Sequence, residues 1–355
     1  MAPPIRVVVL YGGRSAEHDI SCISARFVLS QLEPSRYDVV PVGITHDGRW
    51  VDARRLVAGM PDTDAALPSP DRAEPADAIA VGALPGADGE QETVVFPLLH
   101  GPMGEDGTVQ GLFEVAGVPY VGAGVLASAL CMDKTAAKEV LAQHGVPQGR
   151  WLARRVDLVN AAFCDRVEVD LGYPMFVKPA NLGSSIGITK AHTRAELEAA
   201  IGLAASYDDA VVFEANIDGR EVEVAVLGNE APRASLPGEI VSPDGFYDYE
   251  EKYLNDRAKL EIPAPLSDDE VARVQETAVS AYGALRVEGM ARVDFFYATG
   301  RFLVNEVNTI PGFTPISMYP KLWEVSGLAP GRLLDELVSL ALARHRRRAA
   351  HRVER

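Results

Sequence analysis

Residues 288–317 read EGMARVDFFYATGRFLVNEVNTIPGFTPIS. Apolar and polar side chains alternate on both sides of Thr299-Gly300, the period-2 signature of two strands joined by a tight turn, each with one face in a core. The polar members are unusual for such strands. Arg292 and Asp294 lie two apart and share a face, and so do Glu306 and Asn308. Burying two carboxylates, an amide and a guanidinium among apolar neighbours is costly unless something pairs with them. A magnesium ion held by oxygen ligands would do so, with substrate phosphates completing its octahedron. The alternative is a hairpin braced by an Arg292–Glu306 ion pair.

Register decides whether these residues can act together. A two-residue loop at Thr299-Gly300 would set Asp294 opposite Asn305 and turn the two carboxylates to opposite faces. A three-residue loop, Ala298-Thr299-Gly300 with a left-handed Gly300, sets Arg292 across from Glu306 and Asp294 across from Val304, so all the polar residues line one face. The spacing therefore predicts an odd-numbered loop.

The whole chain, 355 residues, is long for one core, so two or three domains are expected. A net charge of -16 argues against nucleic acid, which requires a basic face to displace counterions. No run approaches the ~18–20 apolar residues of a membrane span. The opening MAPPIRVVVLYGG is a buried-strand run too short for a signal sequence, and a cytoplasmic location is expected. Cys22, Cys131 and Cys164 show no metal spacing and read as reduced thiols. The basic run from Arg344, RHRRRAAHRVER, follows the amphipathic LLDELVSLALAR and reads as a helix C-terminus fraying into a tail.

Upstream of the hairpin, IRVVVLYGG is a strand ending in two glycines, and Ser15 reads as the N-cap of a helix beginning at Ala16. Strand, glycine turn and helix open a doubly wound α/β unit, whose ligands sit at the carboxyl ends of its strands. Glu17 falls at that edge, where it either complements the helix dipole or pairs with a substrate ammonium. TVVFPLLHGPMGEDG brings His100 and Glu105 to the same edge. Between them, the Ala-, Pro- and Asp-rich run from Val51 to Glu92 reads as a long surface excursion.

From Ser128, ASALCMDKTAAKEVLAQHGVP reads as one helix that Gly145 and Pro147 end. YPMFVKPANLGSSIGITK is strand, small-residue turn and strand, with Lys178 closing the first strand. Glycines let backbone N–H groups approach an anion and hydroxyls add donors, so Ser184 and Ser185 read as part of a lid over phosphates, with Lys134 and Lys178 on flanking elements. A plain hairpin turn is the alternative. AVVFEANIDGREVEV then offers Glu214, a short hinge from Ala215 to Ile217, and Glu221, a set suited to a nucleotide base and ribose or to an ordinary linker with surface acids. YDYEEKY places Lys252 and Tyr253 in a Tyr-rich loop.

GGRSAEHDIS, HGPMGEDG, MDKTAAK, VKPANLGSSIG, EANIDGREVEV, YDYEEKY, ARVDFF and NEVNTIPGFTPIS, in this order, resemble the D-alanine:D-alanine ligases of the ATP-grasp superfamily, from about Val7 to about Val338. The resemblance implies an α/β chain with an α+β C-terminal half: an N-terminal doubly wound α/β domain over 1–127, a two-domain ATP-grasp fold over 128–222 and 223–345, and the basic tail over 346–355. It implies ATP as co-substrate and two Mg2+ ions, with manganese as the alternative, on Asp294, Glu306 and Asn308. Lys134, Lys178 and Lys252 would neutralise phosphate, with Ser184 and Ser185 in the lid. Glu214, Ala215, Ile217 and Phe296 would hold the base, and Glu221 the ribose.

On the same resemblance, Glu17 would bind the first D-alanine's ammonium and join Ser184 and Tyr253 in a hydrogen-bonded triad that fastens the lid, with His100 supporting it. Arg292 and the Gly312 N–H would form an oxyanion hole, and Ser317 and Met318 would receive the second D-alanine's carboxylate. The implied reaction is D-alanyl-D-alanine synthesis through a D-alanyl phosphate, for peptidoglycan precursors, by a homodimer with no nucleic-acid or membrane partner. A neutral Tyr253, where D-lactate-joining relatives carry a His loop, favours the dipeptide over the ester. A non-catalytic nucleotide-binding protein would have lost one of Asp294, Glu306, Asn308 or Arg292, and this chain keeps all four.

Overall fold

The computed structural model describes residues 3–61, 65–84, 91–241 and 259–352. Strand β1 (Ile5–Gly12) is apolar on both faces, and helix α1 (His18–Gln31) follows it. Strands β2 (Tyr37–Ile44), β3 (Trp50–Asp52), β4 (Ala78–Ile79) and β5 (Thr93–Pro97) complete a sheet of order β4-β3-β2-β1-β5. Its centre is parallel, with Val8 paired to Val40 on one side and Val95 on the other. Two expectations change here. The helix starts at His18, and Ser15 instead accepts the Glu17 N–H at 2.9 Å in the turn before it. The Ala- and Pro-rich excursion also returns to the sheet, adding β3 and β4 as antiparallel strands at its edge.

Gly12 shows why this opening turn needs glycine. Its φ is +88°, and a Cβ there would lie 2.3 Å from the Ile44 carbonyl oxygen.

Helices α2 (Thr108–Ala116), α3 (Val125–Met132) and α4 (Lys134–Gln143) lead into the second sheet. The single helix expected from Ser128 is two, because Asp133 turns the chain and caps α4 by accepting the Ala136 N–H at 3.0 Å. Strand β6 (Trp151–Arg155), helix α5 (Ala161–Leu171), strands β7 (Met175–Pro179) and β8 (Thr189–Ala191), helix α6 (Arg194–Ala205) and strand β9 (Ala210–Ala215) form an antiparallel sheet of order β6-β9-β7-β8. The two helices pack on Met175, Val177, Val211 and Phe213. Strand alternation then turns Phe176, Lys178 and Glu214 to the opposite face.

The third sheet is built on β10 (Arg220–Gly228), with β11 (Arg233–Ala234), β12 (Gly238–Val241), β13 (Lys259–Glu261), β14 (Gly289–Ala298) and β15 (Arg301–Asn308). Helix α7 (Asp268–Ala284) covers one face through Val274, Ala278 and Tyr282 against Val222, Val224, Val293 and Phe295. The other face is apolar where it is covered. Ala225, Leu227 and Met290 pack with Val9 and Tyr11 of the first sheet and with helices α8 (Met318–Val325) and α9 (Pro330–Ala349). Where that face opens, it carries Glu221, Glu223, Arg292 and Asp294. The expected boundary residues 127 and 222 lie within α3 and β10.

The central hairpin reverses the loop prediction and keeps its consequence. Ala298 pairs with Arg301 across a two-residue turn in which Thr299 and Gly300 have φ of +49° and +75°. The register shifts between Asp294 and Phe295: Phe295 pairs with Val304, whereas Asp294 pairs with Glu306. Asn305 is the extra residue of a β-bulge. The bulge supplies the offset expected from the loop, and it brings both carboxylates to one face. Val304 and Val307, three apart, accordingly share the same core.

The basic C-terminal run is helical to Ala349 and docked, where a frayed tail was expected. Arg344 is buried and donates to the Tyr120 carbonyl at 2.8 Å and to that of Gly122. Arg346 pairs with Glu92, Arg347 with Glu230 and Glu288, and Arg348 with Glu114. Among the described residues no helix is long and apolar enough to cross a membrane.

Candidate active site

The open faces of the second and third sheets confront each other across a solvent-open cleft of about 1260 Å³. From one side come Lys178 and Glu214 on adjacent strands, with Lys134 and Lys138 one turn apart on α4. Glu214 sits between two ammonium groups, Lys138 Nζ at 2.8 Å from Oε1 and Lys178 Nζ at 2.6 Å from Oε2. Burial opposes the charge on Glu214, but the two lysines outweigh it and hold the carboxyl far below its usual range. Burial likewise opposes Lys178, yet Glu214 raises it above the ordinary lysine value. Lys134 is pushed down by burial, and its ammonium donates to the Leu182 carbonyl at the base of the serine loop.

The third sheet supplies the acids. Arg292 grips Asp294 with two hydrogen bonds of 2.7 Å, and its Nε also lies 3.0 Å from Glu223. These two acids take the place expected for Glu306, and despite burial they hold the guanidinium firmly charged. Asn308 donates to Asp294 at 2.9 Å, which leaves its amide oxygen as a candidate ligand. Asp294 and Glu306 line the cleft from paired positions. Two carboxylates and an amide oxygen on one strand face form a hard all-oxygen donor set, which fits magnesium.

Over this cleft lies the serine loop. Ser184 and Ser185 adopt φ of +51° and +58°, and Gly187 +73°. Consecutive left-handed residues that are not glycine are strained by about 1–2 kcal/mol each, and such strain collects at ligand clamps. Leu182, Gly183 and both serines line the cleft, as do Ala215, Asn216, Ile217, Glu221 and Phe296.

The first domain closes the far end. Glu17 stands at the start of α1, and a side chain added at Gly183 would come within 4.0 Å of its Oε2. His18, next along, braces this turn through Nδ1 to the Gly13 carbonyl at 2.9 Å. His100 is buried, with Nδ1 3.3 Å from Glu105 and Nε2 3.5 Å from Ser24. Burial opposes protonation of His100, whereas Glu105 and Glu17 favour it and raise its value overall. At Gly312 a Cβ would lie 2.9 Å from Ser317 Oγ. That hydroxyl accepts the Thr314 N–H at 2.9 Å. Met318 buries its side chain in the core, so only its backbone at the start of α8 remains for a ligand.

Lys252 and Tyr253 lie outside the described residues. Two residues that the sequence reading missed belong to the cleft, Lys138 and Glu223. The signals were present: Lys138 is four residues from Lys134 on one helix face, and Glu223 is two from Glu221 in an otherwise apolar strand.

An α/β domain followed by two sheets that grip a cleft lined by lysines, acids and a serine loop defines an ATP-grasp ligase. Family profiles described as D-ala D-ala ligase N-terminus and C-terminus match residues 6–123 and 140–339. The D-alanine–D-alanine ligase of Nocardia farcinica is 48% identical over 360 residues, covering 97% of this chain and 99% of the relative. That of Geobacillus thermodenitrificans is 44% identical over 353 residues, covering 96% of each. Among solved structures, the D-alanine–D-alanine ligase of Coxiella burnetii superposes with a TM-score of 0.81 at 37% identity, over 98% of this chain and 97% of that one. The chain belongs to the D-alanine–D-alanine ligase family.

Proposed function

We propose that this chain joins two D-alanines into D-alanyl-D-alanine, with cleavage of ATP to ADP and phosphate, as a step toward peptidoglycan. The observation that carries this reading is the convergence on one cleft of lysines from the second sheet and helix α4 with paired carboxylates from the third sheet, while Glu17 at the start of α1 faces the glycine of the serine loop. ATP lies between the second and third sheets, its base beside Glu214, Ala215, Ile217 and Phe296, its ribose at Glu221, and its phosphates near Lys134, Lys178 and the serine loop. Lys252, which the family resemblance adds to this set, lies outside the described residues.

Glu17 holds the first D-alanine by its ammonium and leaves the substrate carboxylate directed at the γ-phosphorus. Attack there gives D-alanyl phosphate and ADP. The second D-alanine, its carboxylate received at Ser317 and the Met318 backbone, attacks the acyl carbon as a free amine. Arg292 and the Gly312 N–H face the oxyanion that forms, and phosphate leaves. Asp294, Glu306 and Asn308 would hold magnesium or manganese, whose Lewis acidity spreads phosphate charge. Closure of the serine loop over Glu17 keeps water from the acyl phosphate. His100 steadies Glu17 from beneath. A cytoplasmic homodimer completes the proposal, and the free thiols of Cys22, Cys131 and Cys164 support a reducing compartment.

The test is ADP release coupled to dipeptide formation by the purified protein with ATP, magnesium and D-alanine. L-alanine should give neither. A dominant ester product when D-lactate is supplied with D-alanine near neutral pH overturns the dipeptide reading, and ADP release without any condensed product overturns the ligase.

A further inference from the structure

Glu214 is one carboxylate shared by two lysines whose situations differ. Lys178 closes β7 and, on the reading above, serves the nucleotide phosphates. Lys138 sits a turn into α4, only 5% exposed. Lys178 Nζ lies 2.6 Å from Glu214. A phosphate would compete with that carboxylate for the ammonium. A buried carboxylate that loses its sole counter-ion is strongly disfavoured, so recruitment of Lys178 would be resisted if Glu214 had no other cation. Lys138, 2.8 Å from the other carboxylate oxygen, is that second cation.

We propose that Lys138 is a positioning residue for the nucleotide: it is the standing counter-ion of Glu214, and it sets how readily Lys178 turns to phosphate. The proposal rests on the cleft being the ATP site. It makes a distinction that a simple structural brace would not. Lys138 matters more to ligands that carry phosphate than to the nucleoside, because adenosine has nothing for Lys178 to bind.

The experiment measures ADP and adenosine affinity for the wild type, Lys138→Gln, Lys138→Arg, Lys178→Gln and the double Gln variant, with a melting curve for each. Lys138→Gln should weaken ADP about thirty-fold and adenosine less than about three-fold, in line with truncation of one partner of a buried charged pair. Lys138→Arg, which keeps the charge, should restore most of the ADP affinity. In the Lys178→Gln background the second substitution should add nothing, because its route to phosphate is already gone. Equal losses for ADP and adenosine, or additive losses in the double variant, overturn the proposal while leaving the ATP site intact. A wild type that binds neither ligand overturns the ATP reading itself. Lys138→Arg also keeps the test open if the neutral variant melts below the assay temperature, since a charged variant that still lost ADP selectively would refute the counter-ion role.

Discussion

Arg292 grips Asp294 through both carboxylate oxygens, Nε to Oδ1 and Nη2 to Oδ2 at 2.7 Å each, from two residues back on the same strand. The guanidinium proposed to face the oxyanion thus neutralises a proposed metal ligand. Arg292→Ala therefore has two consequences. Loss of an oxyanion donor should lower kcat roughly 10²–10³-fold. Removing the guanidinium from two largely buried acids, Asp294 and Glu223, should also cost about 3 kcal/mol of stability. Asp294 is also a proposed magnesium ligand, so adding magnesium should raise the melting temperature more in the variant than in the wild type. An identical magnesium shift in both proteins would mean that Arg292 and the cation do not share Asp294.

The hairpin turn offers a test of the fold apart from the chemistry. Thr299 is exposed and β-branched, yet it adopts φ of +49° ahead of Gly300 at +75°. Two residues with positive φ make a type I′ turn, which Asn-Gly fits best, and a β-branched residue at the first position is strained. Thr299→Asn should raise stability by about 0.5–1 kcal/mol and leave KM for ATP unchanged. Gly300→Val should lower it. A neutral or destabilising Thr299→Asn in denaturant unfolding would show that the turn is not as described.

The same hairpin shows where the sequence was legible. Alternation revealed the polar face of β14 and β15, because strand period is a local property. The bulge at Asn305 was hidden, since the alternative odd loop satisfied the same demand. Its one local trace is the three-residue step from Val304 to Val307, both in the core. Lys138 was missed for a different reason. A lysine on a polar helix stripe looks solvated until the strand carrying Glu214 arrives from 76 residues away. The basic C-terminal run failed likewise, because its partners Glu92, Glu114, Glu230 and Glu288 are scattered over the chain. Helix α4 is the opposite case: Asp133 stands in MDKTAAK, and its capping preference is a local mark of the helix start.

Acid should reveal the Lys138–Glu214–Lys178 cluster. The folded protein holds Glu214 far below the ordinary value of 4.5 because two lysines stabilise its ionised form. A depressed carboxyl contributes stability that is complete above the unfolded value and is lost as pH falls through the folded one. Glu214→Gln should therefore cost about 2–4 kcal/mol near pH 7. The gap to wild type should stay constant down to about pH 5 and narrow below 4.5. A gap that closes between pH 7 and 5 would place the titrating group elsewhere.

Arg344 links the last helix to the first domain from a buried position. Its guanidinium donates to the Tyr120 and Gly122 carbonyls and lies 4.4 Å from the Tyr120 ring centroid. Gly122 in turn packs on Gly289, where a Cβ would come 3.0 Å from the Gly122 carbonyl oxygen. One side chain therefore ties α9 to the loop after α2 and to the start of β14, the strand that carries Arg292 and Asp294. Arg344→Met keeps the apolar stem but leaves two carbonyls without their donor, and should cost about 2–4 kcal/mol in denaturant unfolding. Arg352 is exposed, so Arg352→Ala should stay within about 0.5 kcal/mol of wild type. The cleft residues are untouched by either change, so kcat at saturating substrate and 25 °C should hold in both. If the two variants unfold at the same denaturant concentration, Arg344 does not clamp the last helix to the first domain.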